Sequence, residues 1–454
     1  VIRPNSALWL KTLAGAAALS LTLAACGSSD EPEDTATGTD TATSEETTDE
    51  AGAGEDFTND ECASDSTSAD TFKVGGILPL TGNLAFLGPP EVAGVGLAVS
   101  DINAAGGVGG ADACHLILDS GDATDASVAN NSAQQAIQGE VSLVVGAASS
   151  SVTLNIVDAI TDASIVQISP ANTAVALSGY SDFYFRTAPP DGIQGDALGN
   201  LILQDGFQRV AFIVFNDAYG TGLRDVVQQT IEDAGGEVTY GANGAGQEFP
   251  PAQTSFSAEV SGALATNPDA IVVLAFDETR SIVPELQNAG FDMSKVYLTD
   301  GNTSSYGEDF PAGTLEGAKG TIPGNDPESG FKDRLSGWYE SAQGEPLNDF
   351  SYGAESYDAV VLAALAAVKG GATDSVTIQE NLAAVSGANG GTECSTYEEC
   401  VAALDAGDEI FYRGPSGIGP FDDENDPSSA FVGIYQYDAE NNISLISTVE
   451  GSKG

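Results

Sequence analysis

Five apolar runs in this chain end in groups that could hold a small charged molecule. The run Ser142–Gly146 leads through Ala147-Ala148 into Ser149-Ser150-Ser151, which opens a helical pattern. Hydroxyls and free N–H groups at a helix start make a seat for a carboxylate, although N-capping alone would use the same residues. After Ile165–Ser169 comes Pro170-Ala171-Asn172-Thr173, an extended segment with a free carbonyl and a hydroxyl. After Arg209–Phe215 comes Asn216-Asp217-Ala218-Tyr219-Gly220, which offers an aromatic face. The run Ala270–Phe276 ends in an aromatic ring, and Val296–Thr299 ends in Asp300-Gly301. A carboxylate at Asp300 suits an ammonium. Helix caps would explain two of these coincidences. All five together indicate a site for a zwitterion.

The elements that must position these groups alternate. Strand-like runs at Phe72–Leu78, Cys114–Leu118, Ser142–Gly146 and Ile165–Ser169 are separated by helical patterns, such as Val92, Val95, Val99 and Ile102 on one face. A second series follows Ala188-Pro189-Pro190-Asp191-Gly192. Its strands are Arg209–Phe215, Gly236–Tyr240, Ala270–Phe276 and Val296–Thr299, with helices near 219–234, 252–265 and 279–290. Helices dominate from Pro327 to Ala388, and strands Phe431–Tyr437 and Ile443–Val449 close the series. This order predicts an α/β fold of two doubly wound, Rossmann-like lobes with right-handed crossovers. Ligands of such sheets bind beyond the carboxyl ends of the strands, where the five groups fall. The stretch Gly106-Gly107-Val108-Gly109-Gly110 ends a helix instead of opening one, so it is not read as a cofactor loop.

Catalysis finds little support. The chain has one His, His115, inside a strand pattern that makes it a packed side chain, so a Ser-His or Cys-His pair is hard to build. Gly414-Pro415-Ser416-Gly417 lacks the spacing of a nucleophile elbow. The run Asp422-Asp423-Glu424-Asn425-Asp426 lacks the alternation and glycine of a calcium loop and reads as a solvated turn. Neither an enzyme, a metal site nor a cofactor is expected.

With 67 acidic residues against 14 basic ones, the formal charge is −53, and no basic surface is available for nucleic acid or anionic lipid. Gly27 to Asp70 hold 15 Asp or Glu, 15 Ser or Thr and no Lys or Arg, the composition of a disordered tether. Ahead of it, Arg3 and Lys11 flank an apolar run ending in Leu23-Ala24-Ala25-Cys26. Residues 1–26 have the order of an export signal and resemble the lipobox of bacterial lipoproteins, with Cys26 as the lipidated residue. The remaining Cys62, Cys114, Cys394 and Cys400 suggest two disulfides in an exported chain, Cys394 with Cys400 and Cys62 with Cys114 among three possible connectivities.

Several segments carry a family resemblance: Val74–Gly82, Ala98–Gly107, Val145–Ser151, Ile168–Thr173, Asp217–Gly220 and Ser356–Val360. In order and spacing the chain is similar to the substrate-binding lipoproteins of bacterial ABC importers of the leucine/isoleucine/valine type (periplasmic binding protein type I). The resemblance implies that Ser150 and Thr173 hold the ligand carboxylate. It implies that the Ala171 carbonyl, Thr173 and Asp300 hold the ammonium, and that Tyr219 closes over the ligand. Leu87, Ala148, Ser149, Phe276 and Tyr352 would line the side-chain pocket. Asp300 replaces a common Glu, and Leu87 replaces a common aromatic. The resemblance also implies three hinge crossings, near Ala188–Asp191, Thr321–Gly324 and Gly414–Gly417. One lobe would then comprise 71–188 plus 325–413, the other 191–322 plus 415–449. The expected function is capture of an amino acid, branched-chain or otherwise apolar, by a monomer tethered through Cys26 to the outer face of the cytoplasmic membrane, for delivery to an ABC permease. A sensing subunit or an amide- or urea-binding protein of the same fold is the alternative.

Overall fold

The computed structural model describes residues 57–63 and 71–452. The signal, Cys26 and most of the tether lie outside the described residues.

Two sheets organise the body. The first contains β1 (Phe72–Leu78), β2 (Ala113–Asp119), β3 (Leu143–Gly146), β4 (Val166–Ser169) and β5 (Tyr184–Arg186), in the order β2-β1-β3-β4-β5 and all parallel. The second contains β6 (Arg209–Val214), β7 (Glu237–Tyr240), β8 (Ala270–Leu274), β9 (Val296–Leu298) and β10 (Lys319–Pro323), parallel in the order β7-β6-β8-β9-β10. A small two-stranded sheet, β11 (Thr392–Cys394) and β12 (Ile410–Tyr412), lies apart from both. The second sheet is extended by antiparallel β13 (Ser429–Tyr437) and β14 (Ile443–Ser452). Both lobes therefore repeat one winding, with the strand order reversing beside the first strand of each.

The helices are α1 (Gly88–Ala104), α2 (Ala126–Gln138), α3 (Ser150–Asp162), α4 (Asp191–Gln204), α5 (Ala218–Asp233), α6 (Ser257–Ala265), α7 (Thr279–Asn288), α8 (Ser329–Gln343), α9 (Gly353–Gly370), α10 (Ser375–Val385) and α11 (Tyr397–Asp405). Helices cover both faces of the parallel strands, so β3 and β8 are buried at every position. That explains why they read as unbroken apolar runs. Helix α1 approaches α9 and α8 closely: a Cβ on Gly94 would lie 2.2 Å from the Gly353 carbonyl oxygen, and one on Gly96 1.9 Å from the Trp338 ring. The small residues are what allow the helices of the first lobe to pack.

Three differences from the sequence reading have physical causes. Strand β5 is short and ends in Arg186, a charge that hides it from an apolar-run search. Strand β10 carries Gly320 and Pro323, which usually argue against a strand; Pro323 sits at its end, where the chain leaves the sheet. The third passage between lobes falls later than Gly414–Gly417. Ile418 and Phe421 are buried in the first lobe's core, with Phe421 edge-on to Phe185 at 5.2 Å, and the second sheet is entered only at Ser429.

Residues 57–63, within the stretch read as tether, pack on the first lobe. Phe57 packs against its core, the Trp338 indole donates to the Thr58 carbonyl (3.1 Å), the Cys62 N–H donates to the His115 carbonyl (2.9 Å), and the His115 N–H donates to the Asp60 carbonyl (2.9 Å). Disulfides join Cys62 to Cys114 and Cys394 to Cys400. His115 is buried edge-on to Trp338, and burial lowers its basicity.

Candidate functional site between the lobes

The carboxyl ends of the two sheets face each other across a cleft. Leu84 and Leu87 follow β1, Ala148 to Ser150 follow β3, and Ala171 follows β4. From the other side come Tyr219 after β6, Phe276 after β8, and Asp300 with Gly301 after β9. Tyr352, at the start of α9, completes the wall. The space between these residues is small, about 270 Å³ with the part open to solvent included. Nine of the ten residues expected to bind ligand thus meet at one cavity: Leu87, Ala148, Ser149, Ser150, Ala171, Tyr219, Phe276, Asp300 and Tyr352. Thr173 sits just behind, buried, its hydroxyl among the polar atoms without a good hydrogen-bond partner among the described residues.

One wall of the cavity offers hydrogen-bond donors. Ser149 is the N-cap of α3 and its hydroxyl accepts from the Val152 N–H. Ser150 accepts from the Ala174 N–H at 3.3 Å, tying the helix start to the neighbouring loop. That loop is rigid because Asn172 is buried and donates to the Ala148 carbonyl (2.7 Å), while Tyr184 donates back to it (2.9 Å). First-turn N–H groups have no partners within a helix, so a ligand oxygen at this wall finds donors already in place.

The wall from the second lobe carries a carboxylate. Asp300 accepts from Gln194 Nε2 (2.9 Å) and the Tyr219 hydroxyl (2.7 Å) on one oxygen, and from the Tyr352 hydroxyl (2.7 Å) on the other. Burial pushes its carboxyl up, but these three donors work against that and stabilise the anion. No Lys or Arg among the described residues forms an ion pair with it. Asp191, fully buried nearby, is pushed well up by burial and then by the Asp300 charge. The lining also includes apolar groups: Leu84, Leu87 and Phe276, the last stacked on Tyr219 at 5.3 Å.

Sequence reasoning missed Gln194, Leu84, Thr299 and Asp191. Thr299 lies 2.7 Å from the Tyr219 hydroxyl and helps fix its orientation. Gln194 was findable only as a polar residue on the inner face of α4, whose buried neighbours are Ile193 and Leu198.

Two contacts join the lobes across the cleft. Tyr352, from the first lobe, donates to Asp300 of the second. Ser151, from α3, donates to Asp217 (3.2 Å) and accepts from the Ala218 N–H (3.2 Å) at the start of α5. Burial pushes the Asp217 carboxyl up to about 6. Ser151→Ala should leave folding unchanged and weaken ligand affinity about 2- to 12-fold, the value of one net hydrogen bond. Calorimetric titration checks this, and unchanged affinity would show that the contact does not hold the lobes together.

The family model described as periplasmic binding protein matches residues 71–397. The chain belongs to the periplasmic binding protein family. It is 35% identical over 192 residues to the leucine-, isoleucine-, valine-, threonine- and alanine-binding protein of Pseudomonas aeruginosa, covering 41% of this chain and 51% of that one. It spans about half the length of the first curated relatives it matches. A longer match, 27% over 358 residues, covers 76% of this chain and 82% of a substrate-binding protein, BasB, of a chemotactic signal transduction system in Halobacterium salinarum. Among solved structures, LivJ of Streptococcus pneumoniae in complex with isoleucine superposes with a TM-score of 0.66 at 23% identity, over 84% of this chain and all of that one. That likeness establishes the fold, a type I periplasmic binding protein of mixed α/β layers with parallel sheets.

Proposed function

We propose that this periplasmic binding protein captures an apolar amino acid, of branched-chain size, between its lobes and presents it to an ABC permease. It is not an enzyme on this reading. It works outside the cytoplasm, held to the membrane by a lipid on Cys26, and acts as a monomer. One observation carries the reading: the α3 start and the carboxylate of Asp300, which has no cationic partner among the described residues, line one small cavity together with apolar groups. An α-amino acid has the matching arrangement, with its charges on one end and an aliphatic group to fill the rest. Ser150, Thr173 and the α3 start would take the carboxylate. Asp300, Thr173 and the Ala171 carbonyl would take the ammonium, with Tyr219 above. Leu87, Ala148, Ser149, Phe276 and Tyr352 would enclose the side chain.

The test is a thermal-shift screen of residues 27–454, which retain Cys62, against the twenty amino acids. Leucine, isoleucine or valine should raise the melting temperature, while leucinamide, which lacks the carboxylate, should not. A shift with the amide alone would move the site to amide solutes.

The extent of the match to the chemotaxis protein favours a second destination, a receptor that reports the captured ligand. Capture would be the same. Deleting the gene in its host separates the two, because loss of isoleucine uptake marks the permease route and loss of taxis with uptake retained marks the sensor.

A further inference from the structure

A larger cleft lies on the hinge side of the site just described. Its floor is the passage out of β10, Ile322 to Pro327. One wall is the loop before α9 with Glu355, and the other comes from β13 and β14, with Tyr435 and Leu445. Tyr352 is shared: its ring borders this cleft while its hydroxyl binds Asp300 in the amino-acid cavity. The walls belong to different lobes, so an occupant would touch both.

The charges in this cleft do not balance. Asp326, Asp349 and Glu355 line it with one basic residue, Lys332, which is bonded to Asp326 (2.5 Å) and lies over the Phe350 ring. Asp349 accepts from the Ser351 N–H (2.7 Å). Glu355 is 3% exposed; burial pushes its carboxyl well up, and its own backbone N–H is the one hydrogen-bond donor to it among the described residues. One of its oxygens lies where a Cβ on residue 324 would be, at 2.1 Å, so Gly324 at the hinge is what makes room for it. Behind it, Glu91 is buried and unpartnered among the described residues. A cation in the cleft would favour the ionised form of these buried acids. The three acids also act together on Tyr435: burial first, then Asp326, Glu355 and Asp349, press its hydroxyl toward the neutral form.

We propose that the hinge cleft is a second binding site, for an organic cation in which an ammonium or amidinium group on an apolar body is seated on Glu355. A bare metal ion fits less well. Among the described residues the acids whose oxygens converge within 4.8 Å are Asp422, Glu424 and Asp426, elsewhere in the fold. The cleft instead sets its acids beside Ile322, Pro323, Phe350 and Tyr435, surfaces that suit an apolar body and, at the rings, a cationic head. An occupant that bridges the lobes favours closure, and closure is what the amino acid also favours. The two ligands should therefore strengthen each other by one shared factor.

The test titrates residues 27–454 with benzamidine and, separately, with cadaverine, in the presence and absence of saturating isoleucine. At least one probe should bind in the millimolar range or tighter, without displacement by isoleucine. Glu355→Gln should weaken that binding at least tenfold, and Asp349→Asn should weaken it less, with circular dichroism melts showing each variant folded. Isoleucine affinity without the probe should stay within twofold in Glu355→Gln. Binding of neither probe, displacement by isoleucine, or equal probe affinity in a folded Glu355→Gln would overturn the proposal. Probe binding without isoleucine and its loss in Glu355→Gln do not depend on the amino-acid reading of the other cavity, which isoleucine titration alone decides.

Discussion

Asp300→Asn should weaken amino-acid binding by about 2 to 5 kcal/mol, roughly 30- to 5,000-fold in dissociation constant. Asp300 is 6% exposed and has no cationic partner among the described residues, so a bound ammonium would be its counter-ion. Asn keeps the size and a carbonyl oxygen for Gln194, Tyr219 or Tyr352, but it removes the charge. The ammonium would then be buried without an anion, which makes the loss much larger than that of one neutral hydrogen bond. The variant should also lose discrimination. A ligand lacking its ammonium, such as isovalerate, should bind the variant about as well as it binds the native protein. Calorimetry on both proteins measures this, and a loss under threefold would remove Asp300 from the ammonium site.

Asp426→Ala should lower unfolding stability by about 3 to 5 kcal/mol. Arg186 is fully buried and meets Asp426 through two bonds, Nε to Oδ1 at 2.6 Å and Nη2 to Oδ2 at 2.9 Å. Ser178 joins the same group, donating to Asp426 (2.7 Å) and accepting from Arg186. Removing the carboxylate leaves a guanidinium in the interior, and that uncompensated charge is the main cost. Replacing both partners with apolar residues, Arg186→Met with Asp426→Leu, should recover much of the loss. The effect should reach the site, because Arg186 Nη1 also donates to the Ala174 carbonyl (2.9 Å), which helps fix the loop carrying Ala171 and Thr173. Urea unfolding of the single and double variants checks the ledger, and a single variant within 1 kcal/mol of native would contradict it.

The site was legible because parallel sheets place ligands by rule. Once Ser142–Gly146 and Val296–Thr299 read as strands, Ser150 and Asp300 followed as strand-end residues. Their convergence on one cavity is a consequence of the winding, repeated in both lobes. The resemblance supplied Leu87, which sits on no strand end, and Tyr352, which lies in a loop before a long helix.

What escaped the sequence shares a different property. Gln194 follows the break at Pro189-Pro190, on a helix with glycines at 192, 195 and 199 that blur its apolar face. Arg186 and Asp426 are 240 residues apart, and the acid sits in a run that reads as solvated until its partner is known. Glu355 stands in the first turn of a largely apolar helix and would be expected there as a favourable charge at a helix start. Only the fold shows that it is buried beside the hinge.

The most direct measurement is isothermal titration of residues 27–454 with isoleucine and with its des-amino analogue. The account predicts a dissociation constant in the micromolar range for isoleucine, roughly −8 kcal/mol, and binding at least tenfold weaker for the analogue. Equal affinity for the two, or no heat with any branched-chain amino acid from a protein shown to be folded, would contradict a zwitterion site between the lobes.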